Sequence, residues 1–195
     1  MVNWTREERY TKLSDITEEE YLELQKKVNQ SEWRQIFHIQ PKTGLLNDPN
    51  GLIYHNGKYH IFHQWYPLGA VHGIKYWYHY ISDDLIHFED KGIALAPDTS
   101  YDSHGVYSGS GFDYNGKLYL MYTGNVRDSE WERTSNQMIA VEQEDGSFKK
   151  LEKPVIESSP EGYTEHFRDP KVWEQNGKYY AIFGVQREDE TGTVI

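Results

Sequence analysis

Cysteine is absent from this sequence of 195 residues. Its absence excludes a disulfide scaffold, a metal site with thiolate ligands and a cysteine nucleophile. No stretch of about 18 apolar residues occurs, so neither a membrane-spanning helix nor a membrane partner is expected. The first nine residues are mostly polar or charged and lack the apolar stretch of a signal peptide, and we therefore expect a cytoplasmic protein.

Positive charge is scarce, because 20 Lys and Arg residues face 31 Asp and Glu residues and give a formal net charge of −11. Nucleic-acid binding requires a basic surface that neutralises phosphates, so no nucleic-acid partner is expected, although a local basic pocket is not excluded. Apolar residues are also few, at 37% against roughly 45–50% in an average domain. The aromatic share of 15% nevertheless predicts a folded chain whose core depends on Tyr, Trp and Phe.

Three Asn-Gly-Lys turns recur along the chain at nearly equal intervals. They begin at Asn56, Asn115 and Asn176, which are 59 and 61 residues apart. Each turn lies between short runs rich in Tyr, Ile, Leu and Phe. Asn-Gly between such runs predicts a β-hairpin, because the tight turn requires positive φ at both of its central residues. The sequence therefore predicts three hairpins.

The remainder of each unit repeats as well. Phe88 and residues 76–81 of the first unit match Phe148 and residues 137–142 of the second. Four short strands in about sixty residues are typical of a β-propeller blade. A β-sandwich is the alternative, but it would not require equal spacing. We therefore predict an all-β propeller of which this chain carries about two and a half blades, the third being only its first hairpin.

An amphipathic helix is predicted ahead of the repeats, over residues 14–29. Thr17 and Glu20 have the spacing of a capping box. The apolar residues of this stretch follow a helical period: Ile16, Tyr21, Leu24 and Val28. We predict that residues 1–32 form an N-terminal helical extension that packs on the propeller and that residues 33–195 form the propeller itself.

Two Asp-Pro motifs occupy equivalent positions in the first and third units. Asp48 and Asp169 precede their Asn-Gly-Lys turns by eight and seven residues, and the same position of the second unit holds Ser108. Equivalent residues of successive blades lie on a ring, so the three side chains are expected to meet at one mouth of the central channel. Like charges brought together cost free energy unless they are used or paired. Ordinary turns remain the alternative for each motif alone, and a metal or Arg168 could explain the pair structurally.

Carboxylates in a cavity lined by rings suit glycoside hydrolysis, in which one carboxylate attacks the anomeric carbon and another acid protonates the departing oxygen. Four aromatic residues are predicted near the mouth, although such rings more often pack between sheets: Trp65, Tyr66, Trp77 and Tyr107. His60 and His63 are three residues apart on a predicted strand and therefore face opposite ways, which argues against a metal site.

Four ordered motifs resemble the invertase and fructan-hydrolase family, glycoside hydrolase family 32. They are Asn47-Asp48-Pro49-Asn50-Gly51, Gln64, Tyr107-Ser108-Gly109-Ser110 and Arg168-Asp169-Pro170. The resemblance runs from about Trp33 to the end of the chain. Within the family, residues 72–77 and 102–107 are most similar to the bacterial enzymes that hydrolyse sucrose 6-phosphate.

The resemblance implies a five-bladed propeller and a retaining hydrolase of the β-fructofuranosidic bond in sucrose 6-phosphate or sucrose. Asp48 would be the nucleophile, and Asp169 would stabilise the transition state while ionised beside Arg168. The residues expected to contact substrate are Asn47, Gln64, Trp77, Tyr107, Ser108 and Arg168. The family uses neither a metal nor a cofactor.

Lys75 is the candidate for binding the phosphate of a phosphorylated sugar. The family's third catalytic residue, a Glu next to a Cys, would lie about one repeat beyond Asp169, and Glu165 is not in that position. We therefore expect the chain of 195 residues to be inactive, or nearly so, by itself. A non-catalytic sugar-binding propeller and a fructosyltransferase of the same architecture remain alternatives, and the sequence does not predict an oligomeric state.

Overall fold

The structure, a computed structural model, describes residues 3–195. Two α-helices precede the sheets: α1 spans Arg6–Tyr10 and α2 spans Glu18–Asn29. The predicted capping box begins α2, since the Thr17 hydroxyl accepts from the Glu20 amide at 3.2 Å and the Glu20 carboxylate accepts from the Thr17 amide at 2.8 Å. The predicted start of this helix at residue 14 is wrong, because Leu13–Asp15 forms a separate 3₁₀ turn. Within residues 3–195, no helix is long and apolar enough to cross a membrane.

Eleven strands in residues 3–195 form three antiparallel sheets. The first sheet has the order β1 (Leu45–His55), β2 (Lys58–Tyr66), β3 (Tyr76–Ser82), β4 (Glu89–Leu95). The second has the order β5 (Val106–Tyr114), β6 (Lys117–Arg127), β7 (Arg133–Glu142), β8 (Phe148–Lys150). The third contains β9 (Tyr163–Gln175), β10 (Lys178–Arg187) and β11 (Gly192–Val194), with β10 in the middle.

The first strands of the three sheets are neighbours, because β5 contacts both β1 and β9. This is the arrangement of consecutive blades around a propeller axis, with one strand of each blade innermost. The all-β propeller predicted from the repeat is therefore confirmed.

The three Asn-Gly-Lys turns connect β1 to β2, β5 to β6 and β9 to β10. Asn56, Asn115 and Asn176 have φ values of 48°, 54° and 55°, and the glycines that follow them also have positive φ. Positive φ at both central residues is what the hairpin turn requires, so all three predicted hairpins are confirmed. The third blade contains more than this hairpin, because β11 pairs with β10.

Aromatic side chains fill the core, as the composition predicts. Phe62, Trp77 and Tyr122 are fully buried in a cluster that also contains β5, β6 and β7 residues, so it joins the first two sheets. A second cluster of Trp65, Tyr66 and other residues lies under the N-terminal segment. Burial of each large ring stabilises the fold by about 1.5–3 kcal/mol.

The N-terminal segment packs on the first blade. Tyr10, Leu13 and Tyr21 contact the cluster around Trp65 and Tyr66. The Tyr66 hydroxyl donates to the Glu8 carbonyl at 2.6 Å, and the Ile74 amide donates to the Arg9 carbonyl at 2.8 Å. These bonds fix α1 beside the end of the first sheet.

Candidate active site

A cavity of about 600 Å³ opens where the first strands of the three sheets meet, next to α1. Seven of the nine predicted site residues line it: Asn47, Asp48, Gln64, Lys75, Tyr107, Arg168 and Asp169. Ser108 lies in an adjoining hollow that Asp48 and Asp169 also line. The structure therefore brings the three repeat-related residues together at one end of the sheets.

A β-bulge occurs at the same place in each of the three blades. Asn47 pairs with Gln64 and Pro49 with His63, so Asp48 is an extra residue without a partner. Ser108 is extra in β5 in the same way, and Asp169 lies in a two-against-one bulge of β9. A bulge turns the extra side chain out of the alternation of its strand, which directs all three side chains toward the cavity.

The backbone is strained at both acids. Asp48 has φ 37° and Asp169 has φ 60°, a region that costs residues other than glycine of order 1–3 kcal/mol each. Pro49 and Pro170 follow them. Proline has no amide hydrogen, so its position at the bulge leaves no strand donor without a partner. Strain retained at two equivalent positions indicates that the placement of the carboxylates is what the fold maintains.

A chain of side-chain hydrogen bonds ends on the Asp48 carboxylate. Lys75 Nζ donates to Asn47 Oδ1 at 3.0 Å, and Asn47 Nδ2 donates to Gln64 Oε1 at 2.7 Å. Gln64 Nε2 donates to Ser108 Oγ at 2.9 Å, and Ser108 Oγ donates to Asp48 Oδ2 at 3.0 Å. Every donor in this series points toward Asp48. We call these five residues the floor of the cavity.

Lys75 is the one cation in the floor, and its side chain is buried. Burial lowers the pKa of Lys75 to about 8, and the negative charge of Asp48 acts in the opposite direction. With a pKa of about 8, Lys75 is mostly protonated at pH 7. Because little solvent surrounds it, its charge acts strongly on the neighbouring Asn47 amide and Asp48 carboxylate.

Asp169 lies close enough to Asp48 for the two charges to interact. Partial burial raises the pKa of Asp169, Arg168 opposes that rise, and Asp48 adds to it. Arg168 Nε lies 3.4 Å from Asp169 Oδ2. The Asp169 amide donates to Thr123 Oγ1 at 3.2 Å, which ties the third blade to the second at this point. The two carboxylates therefore share one cavity, and the Arg168 guanidinium lies beside Asp169.

Three of the four rings expected at the mouth do not reach it. Trp77 is fully buried, packs against Tyr122 and donates through Nε1 to the Tyr107 carbonyl at 3.0 Å. Trp65 and Tyr66 are equally buried under the N-terminal segment. The expectation that Trp77 contacts substrate is thus not met by its position, since it supports the strand that carries Tyr107. Tyr107 itself is half-buried and lines the cavity.

The cavity is also lined by residues that sequence reasoning missed. They are Arg6 of α1, Trp131 from the β6–β7 connection, Arg133 at the start of β7 and His166 of β9. We call these four residues the rim. The Arg6 guanidinium carbon lies 4.3 Å from the centre of the Trp131 ring, so α1 and the connection meet there. The repeat does not single out these residues, because the same residue types do not recur at the matching positions of the other blades.

The histidines expected to face opposite ways both lie in packed surroundings. His60 bonds to His79 at 3.1 Å, and burial lowers the pKa of His60 to about 4 and that of His79 to about 3. His63 stacks on Tyr78, and its Nδ1 lies 2.9 Å from the Gln64 carbonyl oxygen. In residues 3–195, no group of three or more His, Asp or Glu side chains is arranged to hold a metal ion.

Comparison with known proteins agrees with this geometry. The chain is 55% identical over 195 residues to a sucrose-6-phosphate hydrolase of Staphylococcus xylosus, which covers 100% of this chain and 40% of that protein. A sucrose-6-phosphate hydrolase of Vibrio alginolyticus is 49% identical over 191 residues, covering 98% of this chain and 39% of that protein. The chain thus spans about 40% of the length of these curated relatives.

Solved structures of the same kind superimpose on the chain. The sucrose-6-phosphate hydrolase from Lactobacillus gasseri matches with a TM-score of 0.94 and 46% identity, over 98% of this chain and 39% of that one. A Bombyx mori β-fructofuranosidase solved with sucrose matches with a TM-score of 0.73 and 32% identity, over 92% of this chain and 39% of that one. The family model described as the glycosyl hydrolases family 32 N-terminal domain matches residues 38–195. With acids at equivalent bulges of a propeller and this match over most of its length, the chain belongs to glycoside hydrolase family 32.

Proposed function

We propose that this chain supplies the fructosyl-binding and nucleophile side of a retaining β-fructofuranosidase that acts on sucrose 6-phosphate or sucrose. The observation that carries the proposal is the hydrogen-bond chain of the floor, which ends on the Asp48 carboxylate beside Asp169. Binding of fructose alone would require polar contacts, whereas a strained, hydrogen-bonded carboxylate next to a second carboxylate suits covalent catalysis.

Asp48 acts as the nucleophile in this proposal. Its side chain is exposed to the cavity, and Ser108 holds Oδ2, so Oδ1 is the oxygen left for attack. Oδ1 forms a bond to the fructosyl anomeric carbon while the bond from that carbon to the departing sugar oxygen breaks. Water then cleaves the ester bond to Asp48, and two displacements give net retention.

Asp169 and Arg168 stabilise the transition states of the two displacements. A carboxylate near the ring offsets the positive charge of an oxocarbenium-like transition state and accepts hydrogen bonds from sugar hydroxyls. The Arg168 guanidinium, 3.4 Å from Asp169, keeps that carboxylate oriented. Gln64 and Asn47 face the same cavity and offer further polar contacts to the sugar.

Protonation of the departing oxygen requires an acid. In residues 3–195, Asp48 and Asp169 are the carboxylates that line the cavity, and the proposal assigns both to the fructosyl side. The test is therefore made in an extended chain, which we define as this chain followed by the part of the Staphylococcus xylosus relative that the match does not cover.

The experiment compares the extended chain with its Asp48→Asn variant, using sucrose and sucrose 6-phosphate. We expect turnover to fall at least about 10⁴-fold, because an amide cannot form the covalent intermediate. Asp83→Asn is the matched control, since Asp83 is an exposed carboxylate paired with Lys58 outside the cavity. Proton NMR of the first product is expected to show β-fructofuranose.

Four results would contradict the proposal. Inversion at the anomeric carbon would remove Asp48 as a nucleophile. Turnover of Asp48→Asn above about one hundredth of the parent rate would do the same. Binding of fructose without any turnover in the extended chain would favour a sugar-binding propeller, and transfer of fructose to a sugar acceptor in place of water would favour a fructosyltransferase.

A further inference from the structure

The cavity concentrates positive charge in a chain whose formal net charge is −11. Two of its lining residues are acids, Asp48 and Asp169, whereas five are basic: Arg6, Arg9, Lys75, Arg133 and Arg168. An excess of cations inside one concave site of an acidic protein creates a local positive potential that attracts anions. A neutral disaccharide gives no reason for this excess.

Arg133 is the central residue of this cationic group. Its Nη1 lies 3.1 Å from His166 Nδ1, and Arg168 Nη1 contacts the same nitrogen. Two guanidinium groups that share one ring nitrogen require a neutral imidazole as acceptor. Burial lowers the pKa of His166, and the charges of Arg133 and Arg168 lower it further, in agreement with this assignment.

No carboxylate compensates Arg133. Across residues 3–195, neither Arg133, Arg6 nor Arg9 forms an ion pair. The Nε of Arg133 is buried without a hydrogen-bond partner. Burial lowers the pKa of Arg133, and Arg127 and Arg168 contribute to that decrease. A guanidinium held near other cations with unused donors becomes more stable when an anion binds.

The rim also brings a second arginine to the same place. Trp131 lies two residues before Arg133, and its ring packs against Arg6, whose guanidinium carbon is 4.3 Å from the ring centre. Tyr10 packs edge-on against the same ring at 4.9 Å. Trp131 therefore fixes Arg6, while the Arg133 guanidinium carbon lies 5.8 Å from the centre of the Tyr107 ring. The two arginines come from separate elements of the chain and line the same cavity.

Lys75, the candidate for phosphate in the sequence analysis, is placed differently. Its Nζ donates to Asn47 Oδ1 at 3.0 Å and belongs to the hydrogen-bond chain that ends on Asp48. Its charge is therefore engaged at the fructosyl end of the cavity. The arginines of the rim take no part in that hydrogen-bond chain.

We propose that Arg133 and Arg6 form an anion subsite that binds the phosphate group of the departing sugar while the floor holds the fructosyl unit. The proposal rests on the function given above for the fructosyl side. A guanidinium offers two parallel donors to a phosphate, so two arginines can satisfy the phosphate oxygens and orient the departing sugar. The subsite makes a phosphorylated disaccharide the preferred substrate over its neutral form.

The experiment measures binding to this chain by calorimetric and NMR titration, with glucose 6-phosphate, glucose, inorganic phosphate and fructose as probes. We expect glucose 6-phosphate to bind at least about tenfold more tightly than glucose. Arg133→Gln is expected to weaken glucose 6-phosphate about tenfold or more and to leave fructose unchanged. The affinity of Arg133→Lys for glucose 6-phosphate is expected to lie between those of the parent and Arg133→Gln, because lysine keeps the charge and loses the paired donors.

Arg6→Gln and Arg187→Gln complete the series. Arg6 lies on the short helix α1, so its replacement tests the subsite without changing the sheets, and we expect a several-fold loss of glucose 6-phosphate affinity. Arg187 ends β10 and does not line the cavity, so its replacement removes the same charge with no expected effect. Circular dichroism shows whether each variant keeps its sheet content.

Two outcomes overturn the subsite. One is glucose 6-phosphate affinity within about twofold of the parent in both folded Arg133→Gln and Arg6→Gln. The other is an equal loss in Arg187→Gln, which would indicate general charge attraction. A chain that binds glucose 6-phosphate through Arg133 and does not bind fructose supports the subsite and contradicts the function proposed for the floor, so the two failures are distinguishable.

Discussion

The floor and the rim of the cavity are built in opposite ways. In the floor, each polar side chain from Lys75 to Asp48 has a hydrogen-bond partner, and β-bulges place Asp48 and Ser108. In the rim, Arg133 has a buried nitrogen without a partner, and its guanidinium faces other cations. Four of the five floor residues lie on the first two strands of a blade, whereas the rim combines α1, the connection between β6 and β7, and residues of β7 and β9.

This difference separates two tasks. Folding alone completes the floor, so the carboxylate that we propose as the nucleophile is held in position before any substrate arrives. The rim is electrostatically incomplete until an anion binds, so it contributes to recognition of a charged substrate rather than to the position of Asp48. A change in the floor should therefore affect every substrate, and a change in the rim should affect phosphorylated ones.

Breaking the floor through its backbone should have the largest effect. Gly109 follows the bulged Ser108, and a Cβ at this position would lie 1.9 Å from the Met121 carbonyl oxygen and 2.8 Å from Tyr122 Cα. Backbone atoms of β6 cannot move aside without breaking the ladder. We expect Gly109→Ala to lower the free energy of unfolding by about 3 kcal/mol or more, measured by urea titration.

Gly184→Ala is the matched control for Gly109→Ala. Gly184 lies inside β10, and the nearest atom to an added Cβ is the Arg168 carbonyl oxygen at 3.6 Å, which is ordinary contact. We expect a change below about 1 kcal/mol. Equal stability of Gly109→Ala and the parent would show that contact between β5 and β6 does not fix the Ser108 bulge.

Replacing the hydroxyl that holds Asp48 should have a smaller effect, confined to the floor. Ser108→Ala removes the hydrogen bond to Asp48 Oδ2, and a hydrogen bond to a charged group contributes about 1.5–3 kcal/mol. We expect kcat of the extended chain to fall about 10- to 100-fold. Binding of glucose 6-phosphate to the shorter chain should not change.

Ser147→Ala controls for loss of a hydroxyl, since Ser147 lies in an exposed turn and its hydroxyl bonds only with Asp145 among the described residues. A Ser108→Ala variant that loses kcat and glucose 6-phosphate affinity to the same extent would show that the floor and the rim do not act separately.

Three residues at the centre of the site could be predicted from the sequence because a repeat relates them, and Asn47 and Gln64 of the floor were predicted from the family resemblance. Asp48, Ser108 and Asp169 occupy equivalent positions, so a propeller brings them together whatever the details of packing. The bulges at these positions were not predicted. Pro49 and Pro170 were the signal for two of them, since proline inside a strand is found at edges and bulges.

The rim could not be predicted in that way. Arg6 and Arg133 are distant in sequence, and arginine does not recur at the matching positions of other blades. Arg6 packs on the Trp131 ring and Arg133 lies over the Tyr107 ring, and the two line one cavity. Trp77 failed as a predicted sugar contact for a related reason. It pairs with Gln64, but it lies on the third strand of its sheet, where Tyr122 of the second blade covers it. The distance of a residue from the propeller axis and its burial by a neighbouring sheet depend on tertiary structure. The alternation of residues along a strand does not predict either of them.

The smallest expected effect concerns the charge that the floor buries. Lys75 has a pKa of about 8 in the folded chain against 10.5 as its ordinary value, because it is buried. Between these pH values the unfolded chain binds the proton and the folded chain does not, so the parent gains stability as the pH rises from about 8 to about 10.5. At pH 7 the protonated Lys75 therefore opposes folding.

Lys75→Met removes this charge and keeps an unbranched apolar side chain. At pH 7 we expect the variant to be about 1 kcal/mol more stable than the parent in urea titrations, after allowance for the lost bond to Asn47. That advantage should shrink as the pH approaches the ordinary pKa of lysine.

Fructose should bind less tightly to the variant, because Asn47 then lacks the donor that orients its amide. A stability difference that does not depend on pH would mean that the fold does not oppose the charge of Lys75. The expected combination, a more stable chain that binds fructose less well, would show that the floor keeps a buried cation for its action on Asn47 and Asp48 and not for stability.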